Sequence, residues 1–210
     1  MSYLECFGTL TGLVTVWLAA KANIWTWPTG LVNNVAFFVI FYRVQLYSDM
    51  FLQVYFFGVS LYGWWNWHRQ PVRANKNVTV LPARQRVLLA LLTLLSVGIL
   101  GYGMSRIHGY FPRVFPQPAS YPYADAFTAV LSVVATVLMA DKRLECWILW
   151  ILVDVASVGL YAVKGIHLIS LEYAVFLGIC SVGLFQWTKL HAHANRPGTG
   201  EIHARSPGTP

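Results

Sequence analysis

Apolar residues in this chain gather into seven stretches, at about 3–20, 28–43, 50–67, 87–104, 124–140, 146–163 and 168–187. Each approaches the ~20 residues that a helix needs to cross a bilayer. The segment from Phe51 to Gln70, FLQVYFFGVSLYGWWNWHRQ, shows the pattern within one such stretch. At helical spacing Asp49, Gln53, Phe56, Ser60, Trp64 and Trp67 form one stripe, and Leu52, Val54, Phe57, Val59 and Leu61 fill the remainder. A helix that is apolar outside, polar and aromatic along one side, and capped by Trp suits one wall of a solute cavity in a membrane bundle. The second stretch starts at Pro28, which the first turn of a helix tolerates. The first ends in Ala20-Lys21-Ala22, a sequence like a signal-peptide cleavage site. It carries Glu5 and no Lys or Arg ahead of its apolar run, so it is expected to stay as a span.

Composition supports the same picture. Of 210 residues 57% are hydrophobic and only 11% charged, against about 25% charged in a soluble domain. The formal charge of +7 does not make a nucleic-acid surface, because the basic residues sit between apolar runs. They mark a membrane side instead. If the N-terminus lies on one side, the opposite side collects Lys21, Arg69, Arg73, Lys76, Arg84, Arg86, Lys142, Arg143, Lys189, Arg196 and Arg205, leaving Arg43, Arg106, Arg113 and Lys164. The positive-inside bias then predicts an outer N-terminus and a cytoplasmic C-terminus. The Pro- and aromatic-rich loop from Ser105 to Pro122 would face outward. The end of the chain, 188–210, is expected as a disordered cytoplasmic tail; from Asn195 it has Gly, Pro and Thr without an apolar period.

The chain also repeats. A shift of 120 residues lays Tyr3 on Tyr123, Glu5 on Asp125, Trp27 on Trp147, Asn34 on Asp154, Gly58 on Gly178, Gly63 on Gly183 and Trp67 on Trp187, without a gap. The simplest organisation is a three-helix unit over 1–67, a linker helix with flanking loops over 68–121, and a second three-helix unit over 122–187. An odd linker gives both units one orientation, so the repeat is parallel. Parallel repeats about an axis along the membrane normal are a transporter architecture, with the substrate near the midplane between them.

Within the spans, the costliest group is Asp154, on a face with Trp147, Trp150, Ser157 and Tyr161. A carboxylate at that depth costs at least about 2.5 kcal/mol and requires a partner or a wet cavity. A cavity lined by Asp154 on one side and the amide of Asn34 on the other suits a polar or cationic solute. The bland alternative is a structural hydrogen bond between helices, or a protonated acid. Gln53 is either interhelical glue or a ligand, and its stripe with Ser60 and Trp64 favours the ligand. Trp64, Trp147 and Trp150 are candidates for stacking on a flat ring, where a cation gains up to about 2 kcal/mol. Glu172 reads as an ordinary residue of a helix entry. Cys6, Cys146 and Cys180 lack disulfide or metal spacing and read as small buried hydrophobes. No HExxH, GxSxG or Walker sequence is present, so the residues offer neither catalysis nor ATP-driven pumping.

Two segments carry a family resemblance: RVQLYSDMFLQVYFFGVSLYGWWNWHRQ (Arg43 to Gln70), and WILWILVDVASVGLYAVKG followed by SLEYA (Trp147 to Ala174). Over most of its length, from about Glu5 to Trp187, the chain resembles the PnuC family of bacterial vitamin transporters. The resemblance implies an all-α integral membrane protein with seven transmembrane helices in a SWEET-like 3+1+3 arrangement, in the bacterial inner membrane. It implies a central site in which aromatic rings clamp a nicotinamide and amides hydrogen-bond it. Carried onto this sequence, that site takes in Asn34, Gln53, Trp64, Trp147, Trp150 and the position of Asp154, and extends to Tyr173. It further implies uptake of nicotinamide riboside by facilitated diffusion, trapping by a separate cytoplasmic kinase, homotrimeric assembly, and no cofactor or metal. The chain departs from the pattern at Asp154 and Ser60, where family members often have Asn. An acid strengthens the hold on cationic nicotinamide riboside, or shifts the preference toward thiamine, another cationic ring. A non-transporting membrane scaffold is the alternative from another class.

Overall fold

The computed structural model describes residues 3–43, 47–69, 78–111, 120–163, 165 and 167–194; the side chain of Asp49 and the segments 112–119 and 195–210 lie outside the described residues. Among those described, the chain forms seven helices: α1 (Tyr3–Ala20), α2 (Thr26–Arg43), α3 (Tyr47–Arg69), α4 (Ala83–Tyr110), α5 (Pro122–Ala140), α6 (Glu145–Val163) and α7 (His167–Ala194). Each contains one of the expected apolar stretches. α4 runs six residues past the expected 104, which shortens the loop before α5. α7 runs to Ala194, so the first seven residues of the expected tail are helical rather than disordered.

By length and apolarity alone, α1, α4, α5, α6 and the Ile169–Ala194 part of α7 are able to cross a membrane. α2 and α3 are more polar because they carry Asn33, Asn34, Gln53, Ser60 and Asn66. Those groups are tolerable in a bilayer only where they face other helices or an interior. The packing supplies such an interior. α1 packs on α2, α2 on α3, α3 on α5, α5 on α6, α6 on α7, and α7 back on α1. Six helices thus close a ring, three from each half of the chain. α4 stands outside it against α5, with Leu88, Leu91, Leu92, Leu95 and Ile99 exposed to lipid.

The 120-residue repeat is reproduced bond by bond in the turns. After α1, Ala22 N donates to Ala19 O (2.8 Å), Asn23 N to Leu18 O (2.9 Å) and Thr26 N to Asn23 O (3.1 Å); after α5, Lys142 N donates to Met139 O (3.0 Å), Arg143 N to Leu138 O (2.8 Å) and Cys146 N to Arg143 O (3.1 Å). Both turns pass through a left-handed residue, Ala22 at φ 49° and Lys142 at φ 53°. A side chain in that region costs roughly 1–2 kcal/mol. The left-handed residue reverses the chain after each helix and returns it alongside.

Four tryptophans close the ring at the end where these turns lie. Trp27 meets Trp67 edge-on with centroids 5.3 Å apart, and their equivalents Trp147 and Trp187 meet edge-on at 5.5 Å. Trp67 and Trp187 touch each other at 6.1 Å across the junction of the halves. The Trp67 indole N–H donates to Ala140 O (3.0 Å) and that of Trp187 to Ala19 O (3.1 Å), so each half satisfies a carbonyl at a helix end of the other. Gly63 and Gly183 make room for these rings: a Cβ would sit 2.5 Å from the Trp27 ring at Gly63 and 2.6 Å from the Trp147 ring at Gly183.

A strap from Val78 to Leu81 lies over this seal. Thr79 pairs with the α5–α6 turn (Thr79 N to Lys142 O, 3.1 Å; Leu144 N to Thr79 O, 2.9 Å), and Leu81 N donates to Glu145 Oε1 (2.9 Å). Val78 O lies 2.8 Å from His191 Nδ1 on α7.

The glycine positions separate packing from propensity. Gly63→Ala and Gly183→Ala each incur an overpacking cost of about 1–3 kcal/mol, above the roughly 1 kcal/mol that alanine gains in a helix. Thermal unfolding in detergent is therefore expected at lower temperature for both. Gly178→Ala, where nothing lies within 4 Å of a Cβ, should unfold no earlier than the parent.

A second expectation concerns Lys142, which is 1% exposed with its ammonium 4.7 Å from the Trp67 ring centroid. Burial pulls its pKa down from 10.5 to about 8. Between those values the unfolded chain holds a proton that the folded chain has released. Stability from this group therefore rises with pH from about 8 to 10.5. Unfolding temperatures measured across that window should show the rise, and Lys142→Met should flatten it.

Candidate functional site

The polar groups of the ring interior come in two matched pairs. On α2, the buried Asn34 donates its amide N–H to Ser60 Oγ of α3 (3.3 Å). On α6, the buried Asp154 is hydrogen-bonded to Cys180 of α7. Asn34 and Asp154 are 120 residues apart, and so are Ser60 and Cys180. The pairs are therefore equivalent sites in the two halves, one neutral and one acidic. Asn34 lies eight residues into α2 and Asp154 nine into α6. At 1.5 Å per residue both sit roughly 12–14 Å from the sealed end, near the middle of a bilayer.

These pairs do not exhaust the buried polarity. Asp154 Oδ2 is buried with no hydrogen-bond partner, and so are the indole N–H groups of Trp27, Trp147 and Trp150. An orphaned carboxylate oxygen inside a dry bundle is expensive. With Glu145 Oε2 at its start, α6 supplies four of the five such atoms among the described residues, and Trp147, Trp150 and Asp154 follow one another on it at turn spacing. Above Asp154 the wall becomes aromatic. Tyr173 of α7 stacks on Tyr161 of α6 (5.6 Å, 10°), is hydrogen-bonded to Ser157 and meets Phe176 edge-on at 6.2 Å.

The residues singled out in the sequence divide on this geometry. Asn34, Ser60, Trp147, Trp150, Asp154 and Tyr173 share the ring interior. Trp147 belongs also to the seal, fully buried against Gly183 and Trp187. Gln53 is half-buried, two turns before Ser60 on the same side of α3. Trp64 is 42% exposed and shares an outward stripe with Phe57, Leu61 and His68. It turns away from the pair, and its place on the buried stripe goes to Gly63 and Trp67.

Two participants were hidden in the sequence. Cys180 reads in the sequence as a small hydrophobe, although its offset of 120 from Ser60 marks it as the equivalent partner, that of Asp154. Glu172 does more than enter a helix: its carboxyl is hydrogen-bonded to Thr9 of α1, tying the two halves together within the membrane. Two apolar concavities lie elsewhere. They are outward grooves between α1 and α2, one of about 400 Å³ lined by Leu4, Phe7, Leu31, Val32 and Val39. These grooves present apolar side chains to lipid and offer nothing to orient a polar solute. Among the described residues no group of His, Cys, Asp and Glu is arranged to hold a metal.

Comparison with known proteins agrees with this architecture. A family described as nicotinamide mononucleotide transporter matches residues 2–189. The nicotinamide riboside transporter PnuC of Escherichia coli (strain K12) is 32% identical over 204 residues, covering 89% of this chain and 85% of its own. The riboflavin/roseoflavin transporter RibM of Streptomyces davaonensis is 26% identical over 194 residues, covering 92% and 88%. A crystal structure of the vitamin B3 transporter PnuC superposes with a TM-score of 0.70 at 25% identity, covering 91% of this chain and 83% of the other. These relatives are transporters rather than enzymes. The family match over residues 2–189 and the identity to PnuC show that the chain belongs to the nicotinamide mononucleotide transporter family, that of the PnuC vitamin transporters.

Proposed function

We propose that this protein carries nicotinamide riboside across the bacterial inner membrane by facilitated diffusion. The single observation that carries the choice of solute is the buried Asp154, whose Oδ2 has no partner and which stands one turn from Trp150. A flat cationic ring meets both needs at once, since the carboxylate compensates its charge and an indole face attracts it. The relatives named for nicotinamide riboside support the same solute. Trp147, Trp150, Asp154 and Tyr173 form one side of the proposed site and Asn34, Ser60 and Gln53 the other. Trp64 is left out because it faces outward.

In this reading the N-terminus is outside and the C-terminus cytoplasmic, so the tryptophan seal and the strap close the cytoplasmic end. The two helix triplets rock about the polar pairs, exposing them to one side at a time. A separate kinase phosphorylates the vitamin in the cytoplasm and keeps uptake running downhill. Assembly as a homotrimer belongs to the same reading. Thiamine is the second reading, because it is also a cationic ring whose charge Asp154 would compensate. A riboflavin-like solute, as in the name of RibM, would leave the charge of Asp154 uncompensated.

Purified protein in liposomes with labelled vitamins tests the proposal. Nicotinamide riboside should equilibrate without accumulating, and imposed proton or sodium gradients should not change the end point. Accumulation against a gradient would refute facilitated diffusion, and entry of thiamine alone would refute the choice of solute. Asp154→Asn should insert normally and bind nicotinamide riboside about tenfold more weakly, the equivalent of roughly 1.4 kcal/mol. Trp150→Ala should weaken binding by a comparable factor.

A further inference from the structure

Among the positions where the two halves differ on the inner face of the ring, one sets a glycine against a tryptophan. Where α6 carries Trp150, α2 carries Gly30, 120 residues earlier. Each stands four residues before a polar group, Asn34 on α2 and Asp154 on α6. Gly30 lies between the flanking helices: its nearest neighbours are Thr15 of α1 and Ser60 of α3. The two positions therefore approach the ring axis from opposite sides.

Packing and backbone give no reason for a glycine there. Gly63, Gly101 and Gly183 are pressed by aromatic rings; Gly58, Gly103, Gly159 and Gly178 are exposed and open. Gly30 is buried, it is not left-handed, and a Cβ would meet Thr15 Cγ2 at 3.5 Å and Ser60 Oγ at 3.7 Å, both ordinary contacts. Keeping glycine within a helix instead of alanine costs about 1 kcal/mol. That cost is sustained on the wall opposite the buried, unpartnered atoms of Trp150 and Asp154.

Building on the carrier reading above, we propose that Gly30 is a specificity-determining residue. Its missing side chain leaves open the volume that the repeat would give to a second tryptophan, and a flat heteroaromatic ring occupies that volume while stacked on Trp150. The solute completes the symmetry of the two halves. The size limit of the site is then set at Gly30, and the charge preference at Asp154.

The test compares the parent protein with Gly30→Ala, Gly30→Leu and, as a lipid-facing control, Gly58→Leu. It reads nicotinamide riboside uptake into liposomes, binding by quenching of indole fluorescence, and thermal unfolding. Gly30→Ala should unfold no earlier than the parent yet bind several-fold more weakly. Gly30→Leu should cut affinity and uptake by about tenfold or more, and Gly58→Leu should change neither. Parent-like binding and uptake in a folded Gly30→Leu protein would overturn the assignment. So would losses in both Gly30 variants that merely follow a lower unfolding temperature. If Gly30→Leu does not fold, Gly30→Ala decides by the same comparison. A parent protein that moves no nicotinamide riboside would instead defeat the carrier reading itself, a result visible before any variant is compared.

Discussion

The contact between Trp67 and Trp187, with each indole N–H reaching over to a helix end of the other half, fixes how the two triplets meet. Both side chains are fully buried. The Trp67 bond occupies Ala140 O at the end of α5, and the Trp187 bond shares Ala19 O with the turn N–H of Ala22. In a bilayer there is little hydrophobic drive between helices, so close packing and such bonds determine how helices associate. Gly63 and Gly183 exist to admit the aromatic partners of these rings, and the left-handed turns at Ala22 and Lys142 bring the carbonyl-bearing helix ends into place. The seal, the turns and the glycines are one device built twice.

Away from the seal, the ring solves the problem of polarity in lipid unevenly. Asn34 with Ser60, Glu172 with Thr9, and Asn33 with Gly8 O (2.7 Å) are settled between neighbouring helices. Asp154 is only half settled, through Cys180, and the indole N–H groups beside it are not settled at all. Trp27 Nε1 and Glu145 Oε2 are also unpartnered, but Asp154, Trp150 and Trp147 gather three such atoms along one stretch of α6. That contrast, more than any single residue, is what makes α6 the wall to look to for a solute.

Much of this was legible in the sequence because the repeat is physical. Trp27 recurs with Gly63, and Trp147 with Gly183, since each ring needs the gap the glycine leaves; the shared offset of 120 residues records a contact. The apolar stretches fixed the number of helices for the same reason, as lipid demands about twenty such residues at a time. Finer facing was harder. Trp64 and Trp67 both fit a loose polar stripe, yet a difference of three residues at 100° each turns Trp64 outward and Trp67 into the seal. Cys180 looked apolar because a thiol is a weak donor, and only its equivalence with Ser60 marks it. The strap at Val78–Leu81 has no periodicity, so nothing in its residues announced its pairing with the α5–α6 turn.

The crossed indole bonds also govern how the closed end can let go. Neither triplet can swing aside alone, because doing so strands an indole donor on each half and the Ala140 carbonyl on one, while Ala19 O keeps its bond from Ala22 N. Stranding costs about 1–3 kcal/mol for each buried group. A partly parted junction is thus the least comfortable arrangement available, and release at one tryptophan favours release at its twin. The junction is therefore a latch that favours being either fully shut or fully thrown.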